Sequence, residues 1–382
     1  MTTTALKPAP FNPVFQVDPY PSLAAIREQG PVGRAEHPVF DEVWLVVSYD
    51  IVRQVHSDPR WVKPPEDPPD DRVTFDSAPP DHTRLRKLVQ KAFTARRIEL
   101  FRAETQRITD EILDGLPADE PVDLIPVLAD AMPIEVIRRM AGLPEEFAAE
   151  LTALMEAFLG EEDATARQDV FVRADEYVAE VLRCKRGALG EDLISDLIAA
   201  RDGEDRLTED ELGTVVLTLL VNGAATSTNV IGTGLHSLLA NPDQHALLLA
   251  RPDLLAGAVE EMLRYENPVG GIGWVSDEDV ELAGTVIPAG EVLATSLQAA
   301  NRDPAVFADP DRFDITRRPN PHLTFSHGIH RCLGAELARM ELQVAMGTLM
   351  RRFPGMREAE PPTWRVSHAV RGLTRLPIVL AP

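Results

Sequence analysis

Phe325-Ser-His-Gly-Ile-His-Arg-Cys-Leu-Gly-Ala-Glu-Leu-Ala-Arg339 decides how the rest of the chain is read. It is a glycine-punctuated loop that passes through one cysteine and runs directly into a helical pattern. A cysteine at a helix start feels the positive end of the helix dipole and unpaired backbone N–H groups, and both favour thiolate over thiol. Gly328 and Gly334 bracket Cys332, and without side chains they would let a flat cofactor lie against the backbone.

Three readings of this loop stay open on the loop alone. Cys332 is a buried structural cysteine. Alternatively, His322, His327, His330 and Cys332 form a zinc cluster, although H-x4-H-x2-H-x-C is not a usual paired-ligand spacing. In the third, Cys332 is an axial thiolate on haem iron.

The chain of 382 residues is 44% hydrophobic, enough to bury a large core in one big domain or two. With 61 acidic against 38 basic residues it is a poor general binder of nucleic acid. Two distant cysteines, Cys184 and Cys332, give no disulfide framework and point to the cytoplasm. Met1 to Tyr20 holds one cation, Lys7, among four prolines, so the expectation is neither a signal peptide nor a membrane anchor.

Ser22 to Glu28 reads as a short helix, Val43 to Ser48 as a strand, and the proline- and aspartate-rich Trp61 to Pro80 stretch as an exposed loop. Pro79 to Arg97 reads as one helix bearing Arg84, Arg86, Lys87, Lys91, Arg96 and Arg97, either a solvated face or a docking site for an acidic partner. His82 and Arg86 share one face of it and could grip a single anion. Residues 100 to 200 read as helices, among them Leu124 to Ala141 and Glu145 to Leu159. Thr208-Glu-Asp-Glu211 fits a capping box opening a long helix that closes at Asn241-Pro242. Gly213 to Asn241 carries no charge, but its Thr, Ser and Asn content makes a poor membrane span, so a buried central helix is expected. Its small-residue run, Asn222 to Thr228, leaves room for a ligand or for another helix, and Thr226 can turn its hydroxyl onto a carbonyl one turn earlier. Glu261 and Arg264 meet on a helix face, Val280 to Leu293 turns like a hairpin, and Leu333 to Phe353 is helical. The fold class is mainly α with small β-sheets, and residues 1–382 read as a single domain.

In this order the features resemble the cytochrome P-450 family, in its soluble bacterial form, over nearly the full length. Phe325, Gly328, His330, Cys332 and Gly334 match the pattern F-x-x-G-x-H-x-C-x-G, and Glu261 with Arg264 match E-x-x-R. The resemblance implies a haem-thiolate monooxygenase with haem b, iron protoporphyrin IX, between the central helix and the cysteine loop. It assigns Cys332 as axial ligand of the iron, and His82, Arg86 and His330 to the propionates. It also places Phe325, Gly328, Gly334 and Ala224 against the haem, Thr226 at the oxygen site, and Glu261, Arg264 and Arg312 in a structural charge cluster. Leu217, Val221, Ala224, Val269, Gly270, Ile272, Trp274 and Val370 would line the substrate pocket, together with the Trp61 to Pro80 loop. The implied partners are a ferredoxin with its reductase and a small-molecule or peptide substrate of secondary metabolism. The chain is expected to be a monomer, with no nucleic acid and no membrane.

Two positions depart from the pattern. The acid that usually precedes the oxygen-site threonine is Ala225, so proton delivery must take another route. The position that usually offers an arginine to a propionate is Trp274. Gly270, Gly271 and Gly273 favour a roomy pocket and a bulky substrate. Hydroxylation is the expected reaction; the alternatives are oxidative coupling of an aromatic natural product or peptide, and a haem-binding protein without turnover.

Overall fold

A computed structural model describes residues 17–37, 40–64, 73–117, 120–160, 164–201, 207–367 and 370–381. The chain separates into two compact units, each assembled from segments far apart in sequence. One comprises Met1–Asp70, Gly257–Cys332 and Trp364–Gly372; the other comprises Asp71–Ala256, Leu333–Thr363 and Leu373–Pro382.

The second unit is built on the helix Glu209–Ala240, about 48 Å long at 1.5 Å per residue. The expected capping box forms at its start: Glu211 N–H donates to Thr208 Oγ1 (3.1 Å) and Thr208 N–H to Glu211 Oε2 (2.8 Å). Its most apolar window has a mean hydropathy of 1.4, yet 72% of that window is buried within the protein, as a core helix requires. The glycines of this helix admit neighbouring side chains. A Cβ at Gly223 would lie 3.1 Å from Ile137, and one at Gly232 would lie 2.6 Å from Ile125. The small-residue run therefore serves helix packing at Gly223. Against the central helix pack Ala131–Met140 and Ala335–Arg352, the latter also lying along Ala95–Asp114.

Two helix expectations change here. The single helix expected from Pro79 to Arg97 breaks at Phe93-Thr94 into Asp81–Ala92 and Ala95–Asp114, because Thr94 takes an extended conformation and caps the second helix by accepting from Arg97 N–H. The segment expected as a helix from Leu124 opens with a π-helical stretch, Ile125–Asp130, before Ala131–Met140.

The first unit holds a four-stranded sheet in the order Val32–His37, Asp41–Val46, Leu293–Thr295, Ile272–Trp274. The middle pair is parallel and the outer pairs antiparallel. Val280–Leu282 and Thr285–Ile287 form the expected hairpin. Trp61, expected on an exposed loop, is buried in an apolar cluster with Trp274, Leu293 and Phe307. Residues 65–72 of that loop lie outside the described residues.

Candidate functional site

Cys332 lies at the end of its loop, exposed, three residues before the Ala335–Arg352 helix. Its N–H donates to Phe325 O at 2.8 Å and closes the loop. Gly328 has φ +70°, and a Cβ there would come 2.0 Å from the His56 carbonyl oxygen. Glycine is thus demanded by a neighbouring backbone, a reason the sequence did not show. Gly334, with φ −80°, has a conformation open to any residue. His322 is turned onto Glu260, Nε2 to Oε2 3.0 Å, and among the described residues no group of three His, Cys, Asp or Glu could hold a metal ion.

Sequence reasoning missed His56. Its ring nitrogens lie 2.8 Å from Ser326 Oγ in the cysteine loop and 2.8 Å from Thr295 Oγ1 in the sheet. Burial, then the positive fields of Lys63, His327 and His330, push its pKa down to about 3, so it works as a neutral strut. Trp274 completes this network: its indole N–H donates to Thr295 Oγ1 (3.0 Å), and its ring lies 5.8 Å from that of His330. No local pattern marks His56, because its partners are about 240 and 270 residues away.

The charge cluster forms around a fully buried pair. Arg264 meets both oxygens of Glu261 at 2.8 Å, and both side chains are wholly inaccessible. The third guanidinium is that of Arg317, 3.2 Å from Glu261 Oε2, and not that of Arg312. Arg312 is exposed and supplies only its carbonyl, which accepts from Arg264 Nη2 at 3.2 Å. The turn that brings Pro310 and Arg312 carbonyls inward points the Arg312 side chain outward, and the chain returns five residues later to place Arg317.

In the other unit, Ala224 and Ala225 are buried and Thr226 is half-buried. The expected back-bond occurs elsewhere on the helix: Asn229 Nδ2 donates to Ala225 O at 2.8 Å, and Thr226 makes no such bond. Glu341, on the helix after the cysteine loop, is completely buried. Desolvation pushes its carboxyl up to about 8; the nearby Ser227 hydroxyl eases ionisation but does not reach hydrogen-bonding geometry with either oxygen. His82 is buried at the start of its helix, and desolvation, then the Arg86 charge, lowers its pKa.

Of the pocket residues, Val269 and Val370 are joined by an antiparallel bridge in the first unit. There too Gly270 is buried and Ile272 half-buried, while Trp274 turns its indole inward to Thr295. Gly273 faces protein: a Cβ there would lie 3.1 Å from Pro64 Cγ, so this glycine does not argue for a roomy pocket. Leu217 and Val221 lie in the second unit on the central helix. Residues 368 and 369, next to Val370, lie outside the described residues.

An exposed thiol on a hydrogen-bonded loop, with histidines and arginines along it, is a donor set suited to an iron porphyrin with two carboxylates. The family model for cytochrome P450 matches residues 146–363. The chain is 42% identical to the cytochrome P450 monooxygenase PikC of Streptomyces venezuelae over 95% of this chain and 91% of that protein. It is 38% identical to the mycinamicin IV hydroxylase/epoxidase of Micromonospora griseorubida over 99% of this chain and 100% of that protein. The solved structure of the tirandamycin C-bound P450 monooxygenase TamI superposes with a TM-score of 0.88 at 38% identity, covering 96% of this chain and 98% of that one. Sequence order, loop geometry and these likenesses agree: the chain belongs to the cytochrome P450 family, as a haem b monooxygenase that oxidises an organic molecule with O2 and electrons from a redox partner.

Proposed function

We propose that the chain hydroxylates a bulky natural product of the polyketide type in the cytoplasm, with Cys332 as axial thiolate and a ferredoxin as electron donor. The observation that carries the reading is the exposed thiol of Cys332 on a loop locked by Phe325 O, His56 and Ser326. The name of a relative 33% identical over 97% of this chain, the polyketide biosynthesis cytochrome P450 PksS of Bacillus subtilis, supports the substrate class. Bound haem supplies oxygen activation once electrons arrive. His82, Arg86 and His330 would hold its carboxylates, while Leu217, Val221, Val269 and Val370 would contact substrate. Thr226 would offer its hydroxyl at the oxygen site. Ala225 offers no carboxyl, and the buried acid near the central helix is Glu341 beside Ser227, which desolvation keeps protonated at neutral pH.

The test is the reduced carbon monoxide spectrum of the wild type and Cys332→Ser. A red-shifted thiolate-type Soret band present in the first and absent from the second is expected. Product mass from a macrolide panel then separates hydroxylation, a gain of one oxygen, from coupling, a loss of two hydrogens. A correctly folded wild type without the red-shifted band would refute the assignment of Cys332.

The docking face also changes. Arg84 is committed to Glu211, the capping-box acid, so reversing its charge would disturb the central helix. Among the described residues, Lys87 and Arg96 are the exposed cations of this region, and the side chain of Lys91 lies outside the described residues. Lys87→Glu is expected to slow reduction by a ferredoxin about three- to tenfold at low ionic strength, with the difference closing in high salt. Equal rates for both proteins at low salt would remove Lys87 from the docking surface.

A further inference from the structure

Trp274 cannot make the carboxylate contact that an arginine would make at its position. Its only polar atom, the indole N–H, is committed to Thr295 Oγ1 at 3.0 Å, and the side chain is buried. His56, packed against the indole with ring centroids 4.9 Å apart, cannot supply the charge either: both nitrogens are engaged by hydroxyls and the ring stays neutral. A cationic group does stand at this place, contributed by a different segment. Lys63 holds its ammonium 4.6 Å from the centre of the Trp274 ring.

The placement is set by backbone. Val62 and Val275 exchange hydrogen bonds, N–H of Val62 to Val275 O at 2.9 Å and N–H of Val275 to Val62 O at 2.8 Å. In that antiparallel register Lys63 stands opposite Trp274 and Pro64 opposite Gly273, where the proline ring closes against the glycine at 3.1 Å. The side without a Cβ lets the two segments approach, and the indole face then gives the ammonium a cation–π platform. Lys63 is half-buried, and its field reaches the network, since it is the first charged group acting on His56. His330, two residues before Cys332, also stands 5.8 Å from Trp274, centroid to centroid.

We infer that Lys63 supplies the cation for one haem carboxylate in this chain, held by Trp274 as a platform that His56, Thr295 and Ser326 keep rigid. Charge that one segment would carry in an arginine has moved to the facing segment, with an aromatic ring in the vacated place. The inference rests on the haem-thiolate reading, which is tested separately by the carbon monoxide spectrum.

The experiment measures haem transfer from the ferric holoenzyme to excess apomyoglobin, together with the ferric/ferrous potential. Lys63→Met should release haem about tenfold faster, the usual worth of a charge-assisted hydrogen bond, and should lower the potential because carboxylate charge is less neutralised. Lys63→Arg should stay within about twofold of wild type. Trp274→Arg added to Lys63→Met should bring the release rate back toward wild type by returning a cation to position 274. The inference is overturned by a wild-type release rate and potential in Lys63→Met. It is equally overturned if Lys63→Arg loses haem as fast as Lys63→Met, since charge would then not be the cause. A red-shifted carbon monoxide band in Lys63→Met keeps the thiolate reading intact under either result, and its absence from the wild type would instead strike that reading.

Discussion

Arg264→Met should destabilise the fold by about 3–5 kcal/mol, the usual cost of removing one partner from a buried ion pair. The size follows from what is left behind. Glu261 would keep a charge at zero exposure with Arg317 at 3.2 Å, Asn320 Nδ2 at 3.2 Å and the Asp314 N–H at 2.9 Å as its remaining donors. The carbonyls of Asn301, Pro310 and Arg312 would each lose the guanidinium donor that now reaches them at 2.8–3.2 Å. Those carbonyls belong to the turns leading toward the cysteine loop, so their release should also loosen haem. Denaturant unfolding followed by far-UV circular dichroism reads the stability, and haem content of the purified protein reads the loop. Glu261→Leu combined with Arg264→Met should recover part of the loss, since no unpaired carboxylate remains, but not all, since the Asn301 and Pro310 carbonyls stay without a guanidinium donor while Arg312 O keeps only that of Arg317. Arg312→Met should have little effect, because its side chain is solvent-exposed, whereas Arg317→Met should cost measurably more. A loss below about 1 kcal/mol in Arg264→Met would mean that water replaces the guanidinium and that the pair is less structural than its burial implies.

The contrast between Arg312 and Arg317 shows where sequence stops being legible. Glu261 and Arg264 are three residues apart on one helix, and that spacing alone brings them together. The capping box is likewise local, and Thr208 and Glu211 form it as expected. The third guanidinium arrives through an irregular turn between Asp309 and Asn320, where no period says which arginine faces inward. Family pattern pointed to Arg312; backbone direction chose Arg317.

The same divide runs through the haem-side residues. Cys332, His330 and Phe325 are readable because a contiguous motif carries them. Gly328 was readable as a residue but not in its reason, which lies in the carbonyl of His56, 272 positions earlier in number and adjacent in space. His56, Lys63 and Trp274 form one network from two segments more than 200 residues apart, and only the register of an isolated bridge places them together. Trp274 looked like a loss in the sequence; the facing segment shows what accompanies it. On the central helix, the small side chains were visible, while their assignment to Ile137 and Ile125 required the packed partners.

Glu341→Gln should flatten the pH dependence of stability between about pH 4.5 and 8. In the folded protein the carboxyl is held protonated up to about pH 8, against an ordinary value of 4.5. The folded state therefore binds a proton that the unfolded chain has already released above pH 4.5, and stability falls as pH rises from there to about 8. Below the ordinary value both states are protonated and the acid costs nothing through ionisation. Above about 8 the cost has reached its full size, of the order of a few kcal/mol. Glutamine has a similar shape but cannot ionise, so it removes this slope while leaving a buried polar group in place. The decisive quantity is thus the difference in melting temperature between variant and wild type as a function of pH, not its sign at one pH. It should move in favour of the variant by about 5 °C between pH 5 and pH 8.5. Infrared spectra should show a protonated carboxyl band at pH 7 that is missing from Glu341→Gln. A difference that stays flat with pH would mean that water or Ser227 solvates the carboxylate, and would withdraw Glu341 as the group that holds a proton beneath the central helix.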